Sequence, residues 1–337
     1  MIYMKTISLN GPGSVTTIDQ ESDETFPKMA LLRVISSGIC AADSYLWSGR
    51  HPWNISYPIV PGHEIFGEVI EIDSDNEAIF AIGTKVAVQV NVPCYQCEQC
   101  NRNKFNMCVE RNHFGSTFKG SFAEQIAIPV GARMHPYSGD IDNLIGGLSE
   151  TMANAIYCAR KVKITGNEKI LILGMGSIGG CLTHYLKMTH PSLSLTVLTS
   201  SNAKRGKLEE LGVNAVSIED LESLHDNFDI IFETSGYPKN FKAGLSSLKP
   251  TGIAVIYGVF QEEILFDFNQ ISEFKELTLF GGHLADDTSF DLSVSFLTEK
   301  QEELDYLISN VVGFHNFTTS FSDPKFSEFK TIFQPNT

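Results

Sequence analysis

Apolar and polar residues alternate with a period close to two over the first 130 positions. Met4–Ser8, Met29–Ile35, Ile65–Ile72, Thr84–Val90 and Phe122–Ile128 each read as a short strand, punctuated by Gly11-Pro12-Gly13 and by Pro27. Many short strands between turns predict a β-rich, barrel-like first domain. Near residue 150 the period changes. Glu150–Lys161 carries apolar residues at helical spacing, and Lys169–Leu173 is a short continuous apolar run. Helix Ser177–Met188, strand Leu193–Thr199, helix Asn202–Leu211 and strands Phe228–Glu233, Gly252–Tyr257 and Leu277–Phe280 follow. Strands alternating with helices predict a doubly wound parallel sheet covered on both faces. Beyond about residue 285 the pattern predicts helices Asp291–Glu299 and Glu302–Ile308, then strand-like Phe314–Phe321.

A chain of 337 residues is long enough for about two domains with substantial cores. Hydrophobic residues at 42% and charged residues at 19% describe a soluble globular protein. Lys and Arg total 25 against 40 Asp and Glu, a formal net charge of −15. So acidic a surface repels phosphate backbones and anionic lipid, which argues against nucleic acid and membrane as partners. The opening MIYMKTISLN has no apolar signal core, so a cytoplasmic location is expected. The cysteines fall at 40, 94, 97, 100, 108, 158 and 181; an odd number in such a chain argues against a disulfide framework.

Strand Lys169–Leu173 runs into Gly174-Met175-Gly176-Ser177-Ile178-Gly179 and then a helix. This is GxGxxG in its dinucleotide-binding context: Gly174 for a tight turn, Gly176 for close approach of a pyrophosphate, and Gly179 for helix–strand packing. Ser177 and Ile178 open the helix whose amides face the phosphates. The next strand ends in Thr199-Ser200-Ser201, with Lys204 and Arg205 following, and offers no carboxylate for a ribose 2′-hydroxyl. Hydroxyls and cations there suit a 2′-phosphate, so NADP(H) is expected over NAD(H). The alternative is that Lys204 and Arg205 are solvated helix residues of an NAD site. Gly236 and Gly258 follow later strands, either as turn glycines or as points where backbone approaches the nicotinamide ribose.

Cys94, Cys97, Cys100 and Cys108 bring four thiols into one loop. Soft thiolates in a tetrahedral set fit a closed structural zinc site, with free thiols or an iron–sulfur cluster as the alternatives.

Upstream lie Gly38-Ile-Cys40-Ala-Ala-Asp43 and Pro61-Gly62-His63-Glu64. Together with the cysteine loop and the glycine turn, in this order, they resemble the zinc-dependent medium-chain dehydrogenase/reductase (alcohol dehydrogenase) family. The likeness runs from about residue 30 to 285 and more weakly to the end. It implies an α/β protein with a GroES-like β-rich catalytic domain (1–150 and 286–337, with a structural zinc lobe at 91–110) and a Rossmann doubly wound domain (151–285). It further implies a catalytic zinc on Cys40 and His63, with Glu64 or Glu150 completing the set. Glu150 matches the place where polyol dehydrogenases carry a glutamate and liver-type alcohol dehydrogenases a cysteine. Asp43 either orients His63 or caps a turn. The family's hydroxyl two residues after the zinc cysteine is replaced by Ala42, leaving Ser44, Tyr45 or Glu150 as candidates for its relay.

The implied activity is zinc-dependent, NADP(H)-linked interconversion of a secondary alcohol or polyol and a ketone of the sugar, sugar phosphate or amino-polyol class. Threonine-type and cinnamyl-type dehydrogenases are the alternatives, with a non-catalytic NADPH-binding protein a remote one. Two zinc ions per subunit and a homo-oligomer, dimer or tetramer, are implied with it. Arg50, Arg111 and Lys119 are either cleft-lining cations for a phosphate or solvated loop residues.

Overall fold

The computed structural model describes residues 3–21, 28–51, 55–73, 80–110, 112–317 and 329–337. The chain divides into two compact units, residues 1–153 with 285–337, and residues 154–284.

In chain order the first unit contains β1 (Tyr3–Gly11), β2 (Ser14–Glu21), β3 (Lys28–Ile39), α1 (Ala41–Ser48), β4 (Glu64–Ile72), β5 (Lys85–Val88) and β6 (Asn91–Val92). Helix α2 (Glu98–Asn101), β7 (Asn112–His113), β8 (Gln125–Pro129), β9 (Met134–Pro136) and the start of α3 (Ser149–Ala159) follow. The second unit holds β10 (Lys169–Leu173), α4 (Ser177–Thr189), β11 (Ser194–Leu198), α5 (Asn202–Glu210), β12 (Asn214–Val216), α6 (Ile218–Glu222) and β13 (Phe228–Glu233). It continues with α7 (Pro238–Ser247), β14 (Leu248–Ile256) and β15 (Thr278–Gly281), after which α8 (Asp287–Leu304), β16 (Ile308–Val312) and β17 (Lys330–Phe333) return to the first unit.

The first unit is built on a seven-stranded sheet in the order β16-β17-β3-β4-β5-β9, with β8 also paired to β3. Inward-facing residues of these strands, among them Leu32, Val34, Ile65, Val69, Val86, Val88, Ile126 and Ile128, form one core. A second, aromatic core joins Phe122, Phe314, Phe317 and Phe333 to Ile7 and Leu9. The Phe122 and Phe333 ring centroids lie 5.4 Å apart, nearly edge to face. Two registers position the chemistry. In the antiparallel β3–β4 pair Gly38 faces Glu64, so the residues just past β3 and just before β4, Cys40 and His63, leave from the same edge. In the β17–β3 pair Thr331 faces Ile39, which brings Lys330 to that edge from the other side.

The second unit is a six-stranded parallel sheet in the order β12-β11-β10-β13-β14-β15. β10 reads Lys-Ile-Leu-Ile-Leu and is buried in every residue but the first, as a strand covered on both faces must be. The chain leaves β10 toward β11 on one side and later enters β13 on the other, so the topological switch point lies between β10 and β13.

The end of the chain departs from the periodicity reading. Asp287–Leu304 is one helix rather than two, and Glu302–Ile308 is its last turn followed by a short 3-10 turn. The strand expected at Phe314–Phe321 is instead a turn at 314–316, and residues 318–328 lie outside the described set. Phe314 and Phe317 owe their apolar character to the aromatic core rather than to a sheet. No helix among the described residues is long and apolar enough to cross a membrane.

A buried polar network ties α8 to the sheet. Gln89 Nε2 donates to Asp287 Oδ1 (2.6 Å) and contacts His135 Nε2 (3.0 Å), while His135 Nδ1 lies 2.7 Å from Asp291. Because Gln89 presents its amide hydrogens, His135 must accept at Nε2 and is held neutral. Burial lowers its pKa below the ordinary 6.5, outweighing an Asp291 carboxylate that is mostly solvent-exposed. Arg133, paired with Asp287, pushes the same way. An unfolded histidine binds its proton first as pH falls, so this contribution is full above about pH 6.5 and is lost below it. The melting-point advantage of the wild type over His135→Gln should therefore shrink as pH is lowered from 7.5 to 5.5. A gap that stays constant would contradict the network.

Candidate active site and cofactor cradle

Cys40 stands at the N-terminus of α1, where the chain turns sharply out of β3. Asp43, fully buried, accepts the Cys40 backbone N–H through Oδ2 (2.8 Å) and places Oδ1 3.5 Å from His63 Nδ1. The carboxylate thereby fixes the loop that carries the thiol and faces the imidazole. Asp43 thus caps the turn through Oδ2 and stands at ion-pair distance from His63 through Oδ1. Burial disfavours a charged His63, but Asp43 and the Cys40 sulfur more than offset it and raise the imidazole pKa well above its ordinary value.

Ligand atoms of Cys40, His63 and Glu64 lie within 4.8 Å of one another. Thiolate, imidazole and carboxylate are a donor set that suits zinc. Glu64 is buried, and Thr151 Oγ1 donates to its Oε2 (2.9 Å) while Lys330 Nζ donates to its Oε1 (2.6 Å). Each carboxylate oxygen keeps a further lone-pair direction beyond these bonds. Burial opposes the charge on Lys330, yet Glu64, Cys40 and Glu150 together raise its pKa. Glu150, at the start of α3, is buried and belongs to the field around Lys330, but it is not among the three grouped ligand atoms. Lys330 and Thr151 are site residues that sequence reasoning missed. Lys330 lies in a short stretch with no motif, Phe329-Lys-Thr-Ile-Phe333, and the β17–β3 register brings it to the site.

The four lobe cysteines form a second cluster. Cys94 and Cys100 sulfurs are 4.0 Å apart and those of Cys97 and Cys108 3.9 Å apart. A tetrahedron with zinc–sulfur bonds of about 2.3 Å has edges of about 3.8 Å, so the spacing matches a tetrathiolate cage. The amides of Cys100 and Val109 pull the Cys97 thiol down to about 6, and burial pushes Cys100 up to about 12. Tyr95 anchors the lobe, donating to the Gly131 carbonyl (2.7 Å).

In the second unit, the glycine turn leaves β10. Gly174 has φ +103, and a Cβ there would stand 2.9 Å from that of Ser235. A Cβ on Gly179 would run into the Gly174 carbonyl, whereas nothing lies within 4 Å of the corresponding point on Gly176. The turn is thus closed at Gly174 and Gly179 and open at Gly176. Ser177 and Ile178 begin α4. At the end of β11, Thr199 Oγ1 accepts the Ser201 amide (3.2 Å) and Ser201 Oγ caps α5 by accepting the Lys204 amide (3.4 Å). Ser200 is exposed beside them. Lys204 Nζ donates to the Met175 carbonyl (2.7 Å) and Arg205 to the Thr199 carbonyl (2.9 Å). Both cations therefore stand against the glycine turn and the strand end rather than out in solvent. Gly236 and Gly258 follow β13 and β14 in touching turns, for a Cβ on Gly258 would meet the Gly236 amide.

Among the cations read as phosphate candidates, Arg50 is exposed, lies 5.8 Å over the Tyr45 ring and bonds Ser48; Lys119 is exposed; Arg111 lies outside the described residues.

Removing the cation of a buried pair leaves the anion without compensation, at a cost of about 3–5 kcal/mol. Lys330→Ala should therefore lower the melting temperature strongly, and the double variant Lys330→Ala/Glu64→Gln should recover part of the loss. Additive losses in thermal denaturation would show that the pair is not coupled.

The alcohol dehydrogenase GroES-like domain family matches residues 27–138, and the glucose dehydrogenase C-terminus family matches residues 148–334. The chain is 26% identical over 303 residues to the erythritol/L-threitol dehydrogenase of Mycolicibacterium smegmatis, covering 83% of each chain. It is 26% identical over 325 residues to the sorbitol dehydrogenase of Halalkalibacterium halodurans, covering 93% of this chain and 92% of that one. Its fold matches a protein from Sinorhizobium meliloti described as a zinc-binding dehydrogenase and solved with NADP, at a TM-score of 0.91 and 23% identity over 99% and 100% of the two chains. With these matches added to the two donor clusters and the glycine turn, the chain belongs to the zinc-dependent medium-chain dehydrogenase/reductase (alcohol dehydrogenase) family, oxidoreductases acting on CH–OH groups.

Proposed function

We propose that the protein interconverts a secondary alcohol of the polyol or sugar class and its ketone, using NADP(H) and a catalytic zinc. The grouping of Cys40, His63 and Glu64, paired from behind by Asp43 and Lys330, carries this reading. The glutamate at 150 and the relatives acting on erythritol, threitol and sorbitol support the polyol class. We assign the first unit the catalytic role and the second the dinucleotide.

When bound, zinc supplies a Lewis acid for the carbonyl oxygen, and the nicotinamide supplies or takes the hydride. The chain's own residues do the rest. Cys40, His63 and Glu64 would hold the metal, and Asp43 places a carboxylate oxygen beside His63 Nδ1. Lys330 balances the charge of Glu64 and Glu150. Ala42 offers no hydroxyl, so the alcohol proton leaves by another group, and we assign this relay to Glu150, which is buried and acts on the same Lys330 as Glu64. Cys94, Cys97, Cys100 and Cys108 hold a second zinc that stabilises their loop. Gly174 to Gly179 take the pyrophosphate, and Thr199, Ser200, Ser201, Lys204 and Arg205 take the 2′-phosphate.

We also propose a homo-oligomer in the cytoplasm. Strand β15 is a sheet edge, Leu265, Phe268 and Phe274 are exposed near it in sequence, and none of the seven cysteines forms a disulfide.

The two metal roles separate in mutants. Each of Cys40→Ser and Cys97→Ser should lose about one zinc equivalent by mass spectrometry of the metal. Cys40→Ser should abolish turnover with little change in melting, whereas Cys97→Ser should lower the melting temperature by more than about 5 °C. Appreciable turnover by Cys40→Ser would contradict the catalytic assignment. Arg205→Ala should raise the KM for NADPH about tenfold and leave that for NADH unchanged, since one charged hydrogen bond to phosphate is at stake. An unchanged KM for NADPH would remove Arg205 from the 2′-phosphate site.

A further inference from the structure

Glu233 is the last residue of β13 and is fully buried. Its side chain folds back over the turn that it opens. Oε1 accepts from the Ser235 amide (2.8 Å), the Ser235 hydroxyl (2.6 Å) and the Gly236 amide (2.9 Å). Oε2 is buried with no hydrogen-bond partner. Burial raises the carboxyl pKa in spite of the donors on the other oxygen. A leucine would fill a similar volume without the desolvation cost of a carboxylate, so packing alone does not account for this residue.

The backbone beside it is held from two directions. Toward β10, the Thr234 amide donates to the Leu173 carbonyl (3.1 Å), and its hydroxyl reaches the carbonyls of Leu173 (3.1 Å) and Gly174 (3.3 Å). Toward β14, the amides of Tyr257 (2.8 Å) and Gly258 (2.9 Å) donate to the Glu233 carbonyl. Gly236 has φ +68, and a Cβ on it would stand 2.5 Å from the Val259 carbonyl oxygen. A Cβ on Gly258 would run into Glu233 Oε2 itself. One carboxylate therefore occupies the slot between two glycine turns that leave neighbouring parallel strands.

Those turns lie at the carboxyl edge of the sheet, across the switch point from β11. The 2′-phosphate residues end β11 and the pyrophosphate turn ends β10, so a dinucleotide continuing in the same direction lays its other nucleotide over β13 and β14. We propose that Glu233 is a positioning residue for the nicotinamide half of the cofactor, fixing turns 234–236 and 257–258 before the cofactor arrives. The proposal rests on the dinucleotide reading given above. It assigns a job to a buried carboxylate that touches neither phosphate nor metal ligand.

The test compares a whole cofactor with its adenosine half on the full-length protein. NADPH and 2′,5′-ADP are each titrated into wild type and Glu233→Gln by calorimetry. Gln keeps the shape but removes the charge and must place its NH2 either on the donors of Ser235 and Gly236 or in the tight slot against Gly258. NADPH should bind about tenfold more weakly or worse, while 2′,5′-ADP affinity is unchanged. Gly258→Ala, which drives a methyl group onto Oε2, should give the same split. Unchanged NADPH affinity would overturn the proposal, and so would parallel loss of both ligands, which marks general damage to the sheet edge. A wild type that binds neither NADPH nor NADH would overturn the dinucleotide reading and this inference with it. Should wild type prefer NADH, the same split is expected between NADH and 5′-AMP.

Discussion

The buried ion pair between Glu64 and Lys330 joins residues 266 positions apart, and the first unit is organised around it. A carboxylate taken out of water needs a partner, and here the partner comes from the last strand of the chain. Strand β17 pairs with β3, so the first unit is completed only after the whole second unit has been made. The same edge collects Cys40 from the end of β3 and His63 from the start of β4. Asp43 then ties the two together, one oxygen to each. The buried Glu64 carboxylate is tolerable because Lys330 and Thr151 both donate to it.

The second unit meets a different constraint. In the function proposed above, it presents both open backbone and two cations to a phosphate-bearing ligand. Gly176 leaves open space, while Gly174 and Gly179 are crowded by their own neighbours. Lys204 and Arg205 are steered inward by carbonyls of the turn and of β11, so that any anion at the strand end meets them already placed. Ion pairs dominate the buried polar chemistry of the first unit; in the second, backbone hydrogen bonds and one buried glutamate shape the ligand edge.

Much of this was legible in the residues. Strands β10 and β13 fall where their apolar runs put them, because a parallel strand covered on both faces carries a nearly continuous run of buried apolar residues. The glycine turn and the cysteine cluster were legible because each needs particular residue types at fixed spacing. Lys330 was not, since a buried lysine in a short strand with no motif looks like a solvent-facing one until its register is known. Nor was the return segment. Phe314 and Phe317 fill an aromatic core from a turn, and apolar residues spent on packing imitate a strand in periodicity. The motif order alone could not separate Glu64 from Glu150. Geometry places Glu64 with Cys40 and His63 and leaves Glu150 beside Lys330's field.

The most direct test of the account is oxidation of NADPH by the purified zinc-loaded protein across a panel of ketoses, ketose phosphates, amino-ketones and aromatic aldehydes. Each is run alongside NADH and alongside a zinc chelator. The account predicts activity concentrated on polyhydroxylated ketones, preference for NADPH and loss of turnover when the catalytic zinc is removed. Turnover that survives complete removal of zinc would contradict it.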